Sequence, residues 1–307
     1  MNMIRAKFKY SYRKFYQRLH YETQKGLINQ GKLLALANAS RPINELEEAE
    51  FQVFSQRGED GILQYIISKV PIPNRIFVEF GVEDYTESNT RFLLMNNHWS
   101  GLVIDGDKDN IRFIKSDFIY WKYDITAVHS FITTHNINGL ISDFTNCSDI
   151  GLLSVDVDGN DYWIWEAITA IQPRIVVCEY NSALGPTAPL SIPYRADFYR
   201  TSAHSSNLYF GAGLGAFCHL AEKKGYDFIG VAGAGVNAFF VRKDLSSPFR
   251  KQRPEEAFRE SANRDSRDSR GRNTFLRHPE RLPVIRELPL VDVVTGETRP
   301  IMEWYNL

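Results

Sequence analysis

Five short apolar runs, each closing near a carboxylate and separated by helical spacing, constrain this chain more than anything else in it. They are Ile76-Phe77-Val78-Glu79-Phe80, Gly101-Leu102-Val103-Ile104, the stretch from Phe118 to Tyr123, Leu152-Leu153-Ser154-Val155 and Ile175-Val176-Val177-Cys178. Ile62, Tyr65, Ile66 and Val70 follow helical spacing until Pro71 and Pro73 stop them. Ser88 or Asn89 can cap a helix carrying Phe92, Leu93 and Leu94, a polar helix reaches about Ser116, and another surrounds Trp163 to Ala170. Gly225 to Ile229 and Ala238 to Val241 read as a closing hairpin. Strands alternating with helices imply an α/β fold, a mostly parallel sheet with helices on both faces. Such sheets bind ligands at the C-terminal ends of their strands. Those ends read Glu79-x-Gly81, Asp105, Asp124, Asp156 and Glu179-x-Asn181. Any one acid has an ordinary explanation in turn chemistry, but the set points to a site.

The hydrophobic share of 43% over 307 residues, with 20 Phe and 15 Tyr, fills a sizeable core and excludes a mainly disordered chain. Lys and Arg number 36 against 37 Asp and Glu, so no charge excess suggests nucleic acid. Cys147, Cys178 and Cys218 are few and far apart, which argues against a disulfide scaffold and suits a reducing, cytoplasmic setting. No apolar run has transmembrane length, and the first residues lack the apolar centre of a secretory signal.

Composition divides the chain into a helical extension over 1–50, a central domain over 51–243 and a charged arm over 244–307. The extension opens with Arg5, Lys7, Lys9, Arg13, Lys14, Arg18 and Lys25 against Glu22, interleaved with Phe8, Tyr10, Tyr12, Phe15 and Tyr16. Two readings stand for residues 1–25: peripheral contact with an anionic membrane at its inner face, or a solvated helix or homo-oligomer contact. The Arg264-Asp265-Ser266-Arg267-Asp268-Ser269-Arg270 stretch balances its charges and reads as a salt-bridged arm, not an RNA-binding patch.

A glycine after a buried strand lets backbone approach a ligand, and Gly81 stands in that place. Gly-x-Gly-x-x-Gly is absent, with Glu83 and Thr86 where later glycines would fall, which counts against a standard dinucleotide site. Asp105 (with Asp107 as competitor) suits hydrogen bonds to ribose hydroxyls, a spacing shared by NAD and S-adenosylmethionine sites.

Ser55-Gln56-Arg57-Gly58-Glu59-Asp60-Gly61, Phe77-Val78-Glu79-Phe80-Gly81, the string from Leu153 through Asp156-Val157-Asp158-Gly159-Asn160-Asp161 to Trp163, and Glu179-Tyr180-Asn181 together resemble the FkbM family. These are S-adenosylmethionine-dependent O-methyltransferases of the class I, Rossmann-like fold. The resemblance covers roughly 51–243. It departs at Val82 to Thr90, which replaces the Gly-rich loop of typical relatives. It implies that Glu79 and Gly81 approach the methionine and ribose portions, that Asp105 holds the ribose and that Asp124 sits near the adenine. It also implies that the loop from Glu83 to Asn89 offers backbone N–H groups to the cofactor carboxylate. The implied acceptor is a sugar hydroxyl of a surface glycan or a glycosylated natural product.

A sugar hydroxyl needs a general base or a metal to become nucleophilic. Asp156, Glu179 and Asn181 fall on neighbouring strand ends and form an oxygen-ligand set for Mg²⁺, similar to metal-dependent O-methyltransferases. Asp158 is a third ligand or a base. The Asp156–Asp161 string has its glycine too early for an EF-hand, and Asn160 and Asp161 read as caps of the helix holding Trp163 and Trp165. The long segment from Ser182 to Asn207 reads as a lid carrying His204 as a candidate base, with Tyr194, Arg195 and Tyr199 for a sugar or phosphate. Two other classes stay open: an NAD-linked enzyme, and a degenerate cofactor-binding fold acting as an assembly or membrane-docking partner.

Overall fold

The computed structural model describes residues 22–307. Residues 22–39 are helical (α1). The sheet strands and covering helices follow in alternation: α2 Glu59–Lys69, β1 Ile76–Phe80, α3 Arg91–Asn97, β2 Ser100–Asp105, α4 Lys108–Ser116, α5 Phe118–Lys122, β3 Ile125–His129 and α6 Ile137–Phe144. Then come β4 Leu152–Val155, α7 Asp161–Ala167, β5 Ile175–Glu179, β6 Leu190–Ser191, α8 Arg200–Ala203, α9 Leu214–Lys224, β7 Tyr226–Val231 and β8 Asn237–Arg242. The tail adds α10 Pro254–Ala257, α11 His278–Val284, β9 Pro289–Asp292, β10 Thr298–Pro300 and α12 Ile301–Tyr305.

Seven strands form one sheet in the order β3-β2-β1-β4-β5-β8-β7. β1 to β5 run parallel, and β8 alone is antiparallel to its neighbours. Alternate residues of each strand feed two apolar layers. Phe77, Val103, Leu152, Val177 and Phe239 pack beneath α2 to α5. Val78, Leu102, Leu153, Val176 and Phe240 pack beneath α6, α7 and α9. Burial on both faces explains why these strands read as unbroken apolar runs. The expected α/β sheet with helices on both faces is therefore present.

One strand lies elsewhere than its sequence suggests. The aromatic run from Phe118 to Lys122 is a helix, α5, because the Asp117 carboxylate accepts the Ile119 N–H at 3.0 Å and starts it. The third strand begins only at Ile125. Asp124 consequently precedes its strand and sits at the opposite edge of the sheet from the site, where it accepts from Ser100 Oγ at 2.7 Å. It cannot approach an adenine bound at the C-terminal edge. The helix expected after Ser88 or Asn89 starts later as well, with Thr90 at its cap.

The tail is a built element. β9 pairs with β10 and with β6 of the lid segment, making a second, three-stranded sheet. Leu184, Leu190, Ile192, Phe198 and Leu208 of the lid pack with Ile285, Leu290 and Ile301 of the tail in a third apolar cluster. Cys147, Cys178 and Cys218 are free thiols. Among the described residues no helix is long and apolar enough to cross a membrane. Most of the basic stretch over 1–25 falls outside them.

Candidate active site

The C-terminal edge of the sheet is organised by Gly81. Its φ is +66°, and a Cβ there would lie 1.7 Å from the Asp156 carbonyl oxygen. Only glycine lets the ends of β1 and β4 approach this closely. Gly81 itself is exposed to the cleft.

Glu79 does not face that cleft, contrary to the expectation from sequence. Its buried carboxylate accepts Asn89 N at 2.9 Å, Ser88 Oγ at 2.7 Å, Thr90 N at 3.2 Å and the Thr90 hydroxyl. Burial raises its pKa, against the pull of these bonds. Glu79 thus anchors the 82–90 loop from below. The backbone donors of this loop are also largely spent. Glu83 N goes to Asp105, Tyr85 N to Val82 O, Thr86 N to Asp84, Ser88 N to Phe54 O and Asn89 N to Glu79. The expected row of N–H groups for a cofactor carboxylate is therefore not on offer. A glycine-rich turn is replaced by the fully buried Tyr85 at φ +64°, whose hydroxyl meets Thr90 Oγ1 at 2.9 Å and whose carbonyl accepts from Arg91 at 2.8 Å. The Asn89 amide reaches inward to Ser154 Oγ at 3.1 Å.

Asp105 ends β2 beside this loop. It accepts Glu83 N at 2.8 Å, Asp107 N at 2.7 Å and Asn110 Nδ2 at 3.1 Å. A carboxylate has about four acceptor positions, so three bonds fix its direction and leave room for a hydroxyl. Asp107 instead caps α4 through Asp109 N. Beyond β3, His129 Nε2 lies 3.1 Å from Gly106 O, and the half-exposed Phe131 stands over Gly106. These two occupy the position on this rim that sequence reasoning gave to Asp124, and correct placement of β3 would have found them.

The second half of the site lies on adjacent β4 and β5, where Val155 pairs with Cys178. Carboxylate oxygens of Asp156, Asp161 and Glu179 all lie within 4.8 Å of one another. Like charges this close disfavour each other's ionised form. Asp156 and Glu179 are both held well above the ordinary carboxylate range, first by burial and then by neighbouring acids, with the Arg200 guanidinium opposing. Glu179 Oε2 is buried and has no hydrogen-bond partner. Asp161, pushed up to about 6 by burial, accepts Val157 N at 2.7 Å and Gly159 N at 2.9 Å, and so shapes the turn after β4. Asn160 holds Arg195 of the lid through N–H and carbonyl contacts instead of capping α7 with its side chain.

Asn181 is not placed as a metal ligand. Its amide donates to Leu208 O at 3.1 Å and Phe210 O at 3.0 Å, and its oxygen accepts Ala183 N at 3.1 Å. It ties the lid to the end of β5. Asp161 stands in the third position of the acidic group instead. His204 is likewise turned to its own loop, with Nδ1 meeting Ser206 Oγ at 2.8 Å and Ser206 N at 3.2 Å. The lid residue that reaches the acids is Arg200, which sequence reasoning missed. It bonds Asp158 Oδ1 at 2.5 Å and Asn207 O at 2.9 Å, reaches Asp265 at 3.4 Å and covers the Phe210 ring at 3.7 Å. Asp158, exposed at φ +54°, is thereby an ion-pair partner of Arg200. Tyr194 accepts Thr134 N at 3.2 Å, Arg195 pairs with Asp197, and Trp165 is core.

These groups open on a pocket of about 50 Å³. Glu179, Arg200, Asn263, Asp265 and Arg281 give it a strongly polar wall, and the last three come from the tail. Arg57 Nη2 donates to Asn263 Oδ1 at 2.5 Å, and His278 Nε2 meets Ser182 O at 2.6 Å, so the tail is held over the end of β5.

No family model and no curated protein matches this chain. Solved structures do. PKMT2 from Rickettsia typhi, in complex with AdoHcy, matches with a TM-score of 0.40 at 9% identity over 62% of this chain and 54% of that one. This chain thus spans about half the length of the Rickettsia protein. The N-terminal domain of EvdMO1 with SAH bound gives 0.39 at 9% identity, over 71% and 94% of the two chains. The CurJ carbon methyltransferase gives 0.37 at 11% identity, over 72% and 70%.

Proposed function

We propose that this chain is an S-adenosylmethionine-dependent methyltransferase acting on a hydroxyl oxygen, with a sugar as acceptor. The observation that carries the reading is the close Asp156–Glu179 pair beside a polar pocket, one strand from exposed Gly81 and two from Asp105. A carboxyl pair with raised pKa is suited to take a proton near neutral pH. Asp105 has the acceptor chemistry for ribose hydroxyls, and Gly81 leaves the cleft floor open, so these residues fit an adenosyl cofactor. Bound there, S-adenosylmethionine supplies an electrophilic methyl group. The carboxyl pair accepts the acceptor's hydroxyl proton. Arg200 orders the lid over it and offsets the negative charge. Asn263, Asp265 and Arg281 orient the remaining hydroxyls.

A hard divalent cation fits the oxygen donors of Asp156 and Glu179, with the orphaned Glu179 oxygen the best evidence for it. Mg²⁺ there would acidify the acceptor hydroxyl.

Calorimetric titration with S-adenosylhomocysteine, beside NADH, tests the reading. Micromolar binding of the first alone supports it. Binding of NADH alone moves the chain to the oxidoreductases, and binding of neither favours the degenerate fold. Methyl transfer from labelled S-adenosylmethionine to a sugar panel, with and without EDTA, then separates the metal from the carboxyl pair acting alone.

A further inference from the structure

Helix α1 leaves its leucines largely outside. The face turned to the protein carries buried Gln24, Gly31 and Asn38, with half-buried Ile28 and Ala35 against the core. Asn38 Nδ2 donates to Ala49 O at 2.8 Å. A Cβ on Gly31 would meet Val53 at 2.7 Å and Phe92 at 2.8 Å, so the helix lies tightly against the domain on a glycine. Leu33 and Leu36 point away from it, and Leu27 and Leu34 lie along one flank. Leu33 is 68% exposed, Leu36 69%, Leu34 48% and Leu27 38%. A helix that served only the core would bury these four first. Lys25, Asn29, Lys32 and Leu36 recur at three- and four-residue spacing, with Leu33 beside Lys32, so cations and leucines share the outer side.

The sequence preceding the helix decides what covers this ridge. Residues 1–25 hold seven basic side chains against Glu22 alone, with aromatic residues among them. A second copy of the chain would bring two such cationic segments together. An anionic surface with an apolar interior satisfies both features, the charge through its headgroups and the leucines through its acyl boundary. We propose that the outer face of α1 docks the protein onto a membrane containing anionic lipid.

The test is flotation of the full chain with phosphatidylcholine vesicles and with vesicles of phosphatidylcholine and phosphatidylglycerol. The protein should rise only with the anionic vesicles, and less as salt is raised. The double substitution Leu33→Glu with Leu36→Glu should lower the floating fraction on the order of tenfold or more while the melting temperature stays unchanged, since both positions are exposed. Wild-type protein that stays down with anionic vesicles overturns the proposal. So does a double variant that floats like wild type. A dimer that the double variant splits, seen by light scattering with flotation unaltered, would assign the leucines to a second copy and overturn it too.

Discussion

Replacing Glu179 by Gln should stabilise the protein while removing its activity. The two acids at the ends of β4 and β5 lie within 4.8 Å of each other, counting oxygens. Two full charges at that separation repel by about 3 kcal/mol at an effective dielectric of about 20. Burial and this repulsion raise both pKa values in the folded state. The stability the pair contributes is therefore present below the ordinary carboxylate range and is lost as pH climbs through the raised range. Gln keeps the shape, donates an N–H to Asp156 and cannot ionise. Arg200 is not orphaned, because Asp158 and Asp265 still flank it. The gain should therefore be small at acid pH and grow as pH climbs through the raised range, towards roughly 3 kcal/mol, a shift in Tm of roughly 5 °C. Thermal melts of both proteins over a pH series, in EDTA so that no cation bridges the pair, measure it. A variant that melts lower than wild type at the alkaline end, or a difference that ignores pH, refutes the reasoning.

Two further outcomes follow from the geometry. Gly81→Ala places a methyl on the Asp156 carbonyl, so S-adenosylhomocysteine binding should fall by at least about tenfold by calorimetry, whereas undiminished binding would mean the β1–β4 contact gives way. Asp105→Ala should abolish adenosyl-cofactor binding, and Asp124→Ala, at the far edge of the sheet, should leave it unchanged. Equal losses in both would return Asp124 to the cofactor site.

How much of this was legible depended on whether the signal was local. β1, β2, β4 and β5 are buried on both faces, and their apolar runs announce them. Phe118 to Tyr123 misled because Ile, Tyr, Phe and Trp favour strands, while the deciding feature was one capping carboxylate, Asp117. The 82–90 loop could be seen to lack glycines, but not to be pinned by a buried Tyr85, since burial is a property of the whole fold. The acid–amide spacing of Glu179 and Asn181 was read as ligation. The amide proved to serve the backbone of the lid, a use that no spacing distinguishes. Among the lid's charged residues, Arg200 rather than His204 turns inward, and its partner Asp265 lies 65 residues further along the chain.

The pocket wall supplied by Asn263, Asp265 and Arg281 sets an order on how the protein comes into being. Every element proposed for cofactor binding and for proton removal precedes the end of β8, but the proposed acceptor pocket is closed only when residues 263–301 fold back onto the lid. If the proposed pocket takes the acceptor, changes in this segment would alter what is recognised while leaving the strand-end acids untouched.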